Sequence, residues 1–240
     1  MGNISVSQRL HEQLSRIIAE TPPGERLLSE PALAEQLGVS RATLREAMRA
    51  FETEGIIRRR QGSGTYVNRP PHVIDTGLEV LESIETLAAR IGLSVSQGAL
   101  NVQRRQAQEE ECQALSIEPC DDVVSVSRVI LTEGRAVAYL VDVLPINVLA
   151  PEDLDEDFKG SVLELLLKRG DPPLYISRTE INAVQATPAV ARSLGIQRGD
   201  VLLCFVADLY SNNGRVIDHS YSYFLPGYFR FHVVRRVDQH

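Results

Sequence analysis

Arg41, Arg45 and Arg49, followed by Arg58, Arg59 and Arg60, are the side chains whose type and spacing point most directly to chemistry in this chain. That chemistry is recognition of an anionic polymer. A guanidinium offers a planar fork of donors that fits a phosphate, and the same fork reaches O6 and N7 of guanine. On a helix, Arg45 and Arg49 project from one side with Arg41 at the amino end, while Leu44, Ala47, Met48 and Phe51 share the other side. Buried and reading faces are thereby separated. The second arginine group runs into QGSG, where Gly62 and Gly64 supply a tight, side-chain-poor turn between two short strands. Such a wing can press on phosphates or enter a minor groove. A merely solvated charged face is the plain alternative; the neighbouring elements outweigh it.

Those elements are legible from caps and breakers. Ser29 can cap EPALAEQLG, with Pro31 tolerated in the first turn. Gly38 permits the left-handed backbone that ends that helix, and Ser40, two residues later, caps RATLREAMRAFETEG. Two helices so close in sequence must turn sharply. Val6, Leu10, Leu14, Ile17 and Ile18 predict a first helix over about 6–20, completing a three-helix core.

Residues 29–67 closely resemble the winged helix-turn-helix of the GntR family of bacterial transcription regulators, through SE, LA, VSR-x-T-x-R, G-x-I and G-x-GT-Y-V as they stand here. The resemblance implies that Ser40, Arg41, Thr43 and Arg45 on the second helix, and Gln61, Gly62 and Ser63 in the wing, contact double-stranded operator DNA. Arg49 joins them from its place on the same helix face.

Composition bounds the rest. A chain of 240 residues, 43% of them hydrophobic, holds two domains with separate cores. Residues 1–70 carry ten Arg and eight Glu, a net +2, which leaves −9 of the total −7 on residues 71–240. The acidic body is expected to face away from DNA. No run of about eighteen apolar residues and no leader pattern is present, so a cytoplasmic protein with no membrane partner is expected. Cys112, Cys120 and Cys204 lack metal-ligand spacing; neither metal nor cofactor is expected. HExxH, a phosphate loop and a supported Ser-His-Asp order are all missing, and Lys159 and Lys168 are the only lysines, which disfavours an enzyme.

Asn68 to His72, with two consecutive prolines, marks a joint. The domains are placed at 1–70 for DNA binding, 71–92 for a linker with a helix at about 77–91, and 93–240 for an α+β body. Strands are expected at 123–131, 136–144, 174–184, 201–210, 215–224 and 229–236, in an antiparallel sheet, with helices near 105–115, 161–169 and 188–194. ALSIEPCDDVVSV at 114–126 aligns without gaps to SLGIQRGDVLLCF at 193–205, and one inserted residue later Gly134 meets Gly214. A helix, turn and hairpin occur twice.

This layout behind a GntR-like head resembles the UTRA domain of the HutC subfamily, whose fold is similar to chorismate lyase; an all-helical FCD domain is opposed by the alternating strands. The resemblance implies a homodimer and a small-molecule effector held over the sheet by Arg128, Ser161, Glu180 and Asp218, with Tyr139, Tyr221 and Tyr223 as further contacts. Ile130, Leu140, Tyr221 and Leu225 stand where relatives carry charged residues. An effector less charged and more apolar than a sugar phosphate is therefore expected. The resulting function is an effector-responsive repressor; an architectural DNA binder without ligand is the competing reading.

Overall fold

The computed structural model describes residues 6–53, 55–60, 63–68, 73–154, 158 and 160–235. It divides into two compact units, Met1–Val73 with Leu225–Phe229, and Ile74–Phe224 with Arg230–His240.

The first unit contains α1 (Val6–Glu20), α2 (Glu30–Gln36), α3 (Arg41–Thr53) and a hairpin of β1 (Ile57–Arg60) and β2 (Gly64–Val67). Leu10, Leu14 and Ile18 repeat one turn apart on α1 and meet Leu33, Leu44, Met48, Phe51, Ile57 and Val67 in one core. Ser29 Oγ accepts from Ala32 N at the start of α2, and Gly38 has φ +64° at its end. The segment before α2 extends the wing, because Leu27 N donates to Thr65 O (2.8 Å) and Val67 N to Glu25 O (2.9 Å). Gly55, at φ +70°, lets the chain leave α3 for β1, with the Tyr228 ring packed where a β-carbon would lie.

In the second unit, β3 (Ile74–Gly77) pairs with β10 (Phe229–His232). A helix over 77–91 was expected; α4 covers only Ile84–Arg90. Ser83 starts it by accepting from Thr86 N (3.0 Å), and Leu78 and Leu81, which gave the apolar pattern, stay exposed. The main sheet has the antiparallel order β4-β5-β6-β9-β8-β7, from Val95–Gln106, Asp122–Thr132, Arg135–Pro145, Val216–Phe224, Val201–Ser211 and Leu174–Gln185 respectively. Its first strand, β4, was not expected, and it shortens the helix predicted at 105–115 to α5 (Glu109–Leu115), which begins where Gln108 N donates to Glu111 Oε2 (2.8 Å). The remaining helices are α6 (Val162–Arg169) and α7 (Pro188–Leu194).

The duplication is written in the hydrogen bonds. Ala107 N donates to Asp121 O as Ala186 N does to Asp200 O, and Ile117 N to Cys112 O as Ile196 N does to Ala191 O. Asp121 Oδ2 accepts from Glu118 N (3.0 Å), and Asp200 Oδ2 from Gln197 N (3.1 Å). Strand, helix and hairpin recur as β4-α5-β5-β6 and β7-α7-β8-β9, and the copies join where Val141 pairs with Tyr221. Among the described residues no helix is long and apolar enough to cross a membrane.

Candidate functional site

In the first unit, burying Leu44, Met48 and Phe51 turns the opposite side of α3 outward. Ser40 Oγ accepts from Thr43 N (3.1 Å) and lies 2.8 Å from the Thr43 hydroxyl, so the two expected contact residues share the cap of the helix. Arg41 is exposed and has no hydrogen bond or ion pair among the described residues. Arg45 is also exposed, but its Nε donates to Glu30 Oε2 at 2.6 Å. Arg49 is half-buried and pairs with Glu46 one turn before it (3.0 Å). Thus the three arginines differ: Arg41 is ready, Arg45 is held by a carboxylate of α2, and Arg49 is spent partly within its own helix.

In the wing, Ser63 is exposed at the tip, its hydroxyl 2.7 Å from the Tyr66 hydroxyl. Gln61 and Gly62 lie outside the described residues. Arg60 stacks over Tyr66 with its guanidinium carbon 5.0 Å from the ring centroid, and Arg58 stands exposed opposite Tyr66 in the register. Arg59 turns back to Glu30 (3.5 Å) and Glu52 (3.9 Å). Sequence reasoning missed Glu30, which meets arginines from both the helix and the wing. An acid in the first turn of α2 was the available signal.

The seven residues expected to hold an effector divide between the two faces of the second unit's sheet. Side chains alternate along a strand, so register assigns the face. Arg128 pairs with Leu140, Leu140 with Ser222, and Ser222 with Phe205; the next row runs Val126, Asp142, Ser220, Ala207. Asp218 shares this face, two residues before Ser220. Ser161 caps the helix on the same side, accepting from Glu164 N (3.2 Å), since Val162 and Leu166 of α6 pack against Val124, Val126 and Leu144. Tyr139, Tyr221, Tyr223 and Glu180 face the other way. There Tyr221 Oη lies 3.0 Å from His219 Nε2, whose Nδ1 lies 2.7 Å from Asp208 Oδ1. Burial raises the Tyr221 and Tyr223 hydroxyls, the latter to about 12, so both remain protonated donors. Glu180 is exposed on the edge strand β7, bonded to Arg178 (2.7 Å). Strand parity forbids one pocket from using all seven.

The face with α6 holds the unusual electrostatics. Arg128 is 5% exposed, Asp142 9% and Asp218 6%. Arg128 Nη1 stands 3.4 Å from Asp142 Oδ2, close enough for attraction, yet Arg128 Nε and Nη1 and Asp142 Oδ2 make no hydrogen bond among the described residues. Asp218 Oδ1 accepts from Val143 N (3.2 Å). Burial raises both carboxyls, Asp218 strongly, with the neighbouring Asp142 charge pushing it further and Arg128 opposing. Asp142 was not expected in the site, although a lone acid inside AVAYLVDVLP was a visible signal. No group of three or more side chains able to hold a metal occurs among the described residues.

Residues 5–67 match the family described as bacterial regulatory proteins, gntR family, and residues 91–230 match the UTRA domain. The transcriptional repressor NagR of Bacillus subtilis is 28% identical over 221 residues, covering 91% of this chain and 90% of its own. The histidine utilization repressor of Pseudomonas putida is 28% identical over 198 residues, 82% of this chain and 77% of its own. Among solved structures, PhnF from Mycobacterium smegmatis shares the fold with a TM-score of 0.64 at 22% identity, covering 95% of this chain and all of that one. With the UTRA match alone spanning more than half of the chain, the protein belongs to the HutC-type, UTRA-bearing GntR regulators: transcription regulators, not enzymes, that bind DNA and respond to small-molecule effectors through the UTRA domain.

Proposed function

We propose that the protein is a cytoplasmic repressor that binds a pseudo-palindromic operator as a homodimer and changes its operator affinity when a small molecule occupies the sheet face bearing Arg128 and Asp142. Residues 1–70 serve DNA binding, 71–92 link, and 93–240 bind effector and dimerise; residues 69–72 of that joint lie outside the described ones. The relatives named as repressors support the direction of control. Ser40, Arg41, Thr43 and Arg45 read the groove, Arg49 adds charge at its rim, and Gln61, Gly62 and Ser63 brace the backbone with Arg58 and Arg60 beside them. The observation that carries this reading is the α3 surface, which buries its apolar side and leaves Arg41 exposed at the helix start, with no partner among the described residues. Two such heads related by a two-fold axis would set the half-site spacing. The effector then acts by its differential affinity for the DNA-competent and released arrangements.

The experiment is selection of duplexes from a randomised pool by the full-length protein, followed by anisotropy titration of Arg41→Ala on the selected sequence. A loss of about 1–3 kcal/mol with an unchanged melting temperature is expected. Unchanged affinity would remove α3 from the interface.

A further inference from the structure

The sheet face with α6 is closed at one end and open in the middle. Toward α6, Val124, Val126 and Leu144 are fully covered. Further along the same face, Ser220, Ser222, Ala207 and Phe205 are only half-buried, although they sit on β9 and β8 inside the sheet. Central strands normally lose such exposure to a covering layer. These are mostly small side chains, so they form a floor rather than a plug.

Two different walls flank the floor. On the β5 side stand Arg128 and Asp142, facing each other at 3.4 Å without a hydrogen bond, with Asp218 beyond them. On the β8 side Phe205 packs against Phe224 and Phe231, with ring centroids 5.1 and 4.6 Å away, and those two rings lie 4.9 Å apart. Arg128 and Phe205 belong to one row of the sheet, three strand steps apart, which corresponds to roughly 14 Å between their α-carbons. One wall is charged, with Arg128 and Asp142 atoms that make no hydrogen bond among the described residues; the other is aromatic.

The unpartnered atoms specify what would satisfy them. Arg128 Nε needs an acceptor, and Asp142 Oδ2 needs a donor, so a monofunctional acid or amine leaves the hydrogen-bonding atom of one of the two buried groups unsatisfied. With two carboxyl groups crowded beside one guanidinium and burial opposing their ionisation, a cationic donor is favoured because it stabilises their charged forms. A phosphate dianion is disfavoured by the same count. The floor, with Leu140 and Ala138 in its rows, and the phenylalanine wall accept an apolar body.

Building on the effector-responsive reading above, we infer that the effector is a small zwitterion of amino-acid type with an apolar side chain. Its carboxylate meets Arg128, its ammonium meets Asp142 and Asp218, and its side chain crosses Ser222 toward Phe205. Buried charges bind tightly only when both ends are matched, so the discrimination falls on the pair of head groups and not on total charge.

The test uses the full-length protein, thermal shift, and release of a selected operator duplex read by anisotropy. The probes are L-phenylalanine, L-leucine and L-histidine, then 2-phenylethylamine and 3-phenylpropanoate as single-charge controls, then glucosamine 6-phosphate. At least one amino acid should raise the melting temperature in a saturable manner and change duplex affinity, with each single-charge control at least tenfold weaker. Asp142→Asn should shrink the preference for amino acid over 3-phenylpropanoate to about unity, with a wild-type circular dichroism spectrum as the folding control. Ser222→Leu, which fills the floor and leaves every charge in place, should weaken amino-acid binding at least tenfold. Preference for glucosamine 6-phosphate, or for either single-charge control, overturns the class but leaves an effector-responsive regulator. Amino-acid binding untouched by both substitutions overturns the location. No response to any probe overturns the class, and if extracted metabolites also leave duplex affinity unchanged, the effector-responsive reading falls with it.

Discussion

In the proposed DNA complex the Glu30 carboxylate competes with phosphate for the arginines of the first unit. Its Oε2 accepts from Arg45 Nε at 2.6 Å and its Oε1 lies 3.5 Å from Arg59 Nε. The Arg45 side chain is 62% exposed, so water screens the pair and its worth is about 0.2–1 kcal/mol. An arginine moving to a phosphate must first give up that bond. Glu30→Gln should therefore tighten binding of a selected duplex by roughly 1.4- to 5-fold, the equivalent of that energy range. The gain should disappear in an Arg45→Ala background, and it should shrink as salt rises, because exposed charges are screened beyond about 8 Å at physiological ionic strength. Glu30 also sits in the first turn of α2, where its charge favours the helix dipole, so the variant should melt slightly earlier while binding more tightly. Anisotropy titrations of the wild type, both single variants and the double variant at 50 and 200 mM salt complete the cycle. If Glu30→Gln weakens binding in the wild type and is neutral beside Arg45→Ala, the carboxylate orients Arg45 for contact and the competition argument is wrong.

Two glycines of the first unit should respond differently to the same change. Gly38→Ala costs only the left-handed backbone, about 1 kcal/mol, because open space surrounds its added methyl group, whereas Gly55→Ala pays that cost and also drives into the Tyr228 ring, for roughly 3 kcal/mol or more; equal losses in urea unfolding would contradict the packing. Asp218→Asn should stabilise the protein most at alkaline pH. The raised carboxyl contributes its stability while protonated and loses it as pH rises through the folded value, while an amide keeps the acceptor for Val143 N and never ionises. Melting temperatures of the two proteins should diverge from pH 4 to pH 9 by about 2–4 °C per kcal/mol recovered, and parallel curves would show that Asp218 does not titrate in this range.

Local signals carried far where they were short-range. Thr187 and Pro188 specify the start of α7, and Thr187 Oγ1 does accept from Val190 N. Ser29, Gly38 and Ser40 locate the two helices of the turn for the same reason. Failure came where tertiary context outvotes a pattern. Leu78, Leu81, Ile84, Leu87 and Ala88 read as one helical stripe, but only Ile84 and Ala88 among the described core find a buried partner surface. Strand β4 escaped because it is an edge with one solvated face, and its alternation is broken by the register shift between Gln97 and Leu100. The effector set mixed odd and even strand positions. Residue type nominates Tyr139 and Arg128 equally well; only the register, with Arg128 opposite Leu140, tells which of them look the same way.

The duplicated scaffold has diverged unequally. Register equates Arg128 and Asp142 of the first copy with Ala207 and Ser222 of the second, since Arg128 pairs with Leu140 as Ala207 pairs with Ser220, and Val126 with Asp142 as Phe205 with Ser222. A single ancestral half, exposing its bare β6 edge, would have had to associate with its twin to complete six strands. Carried in one chain, the two copies need not be identical, and one holds ionic residues where the other holds small ones. The lopsided character of that surface is a possibility that a symmetric pair of separate chains never has.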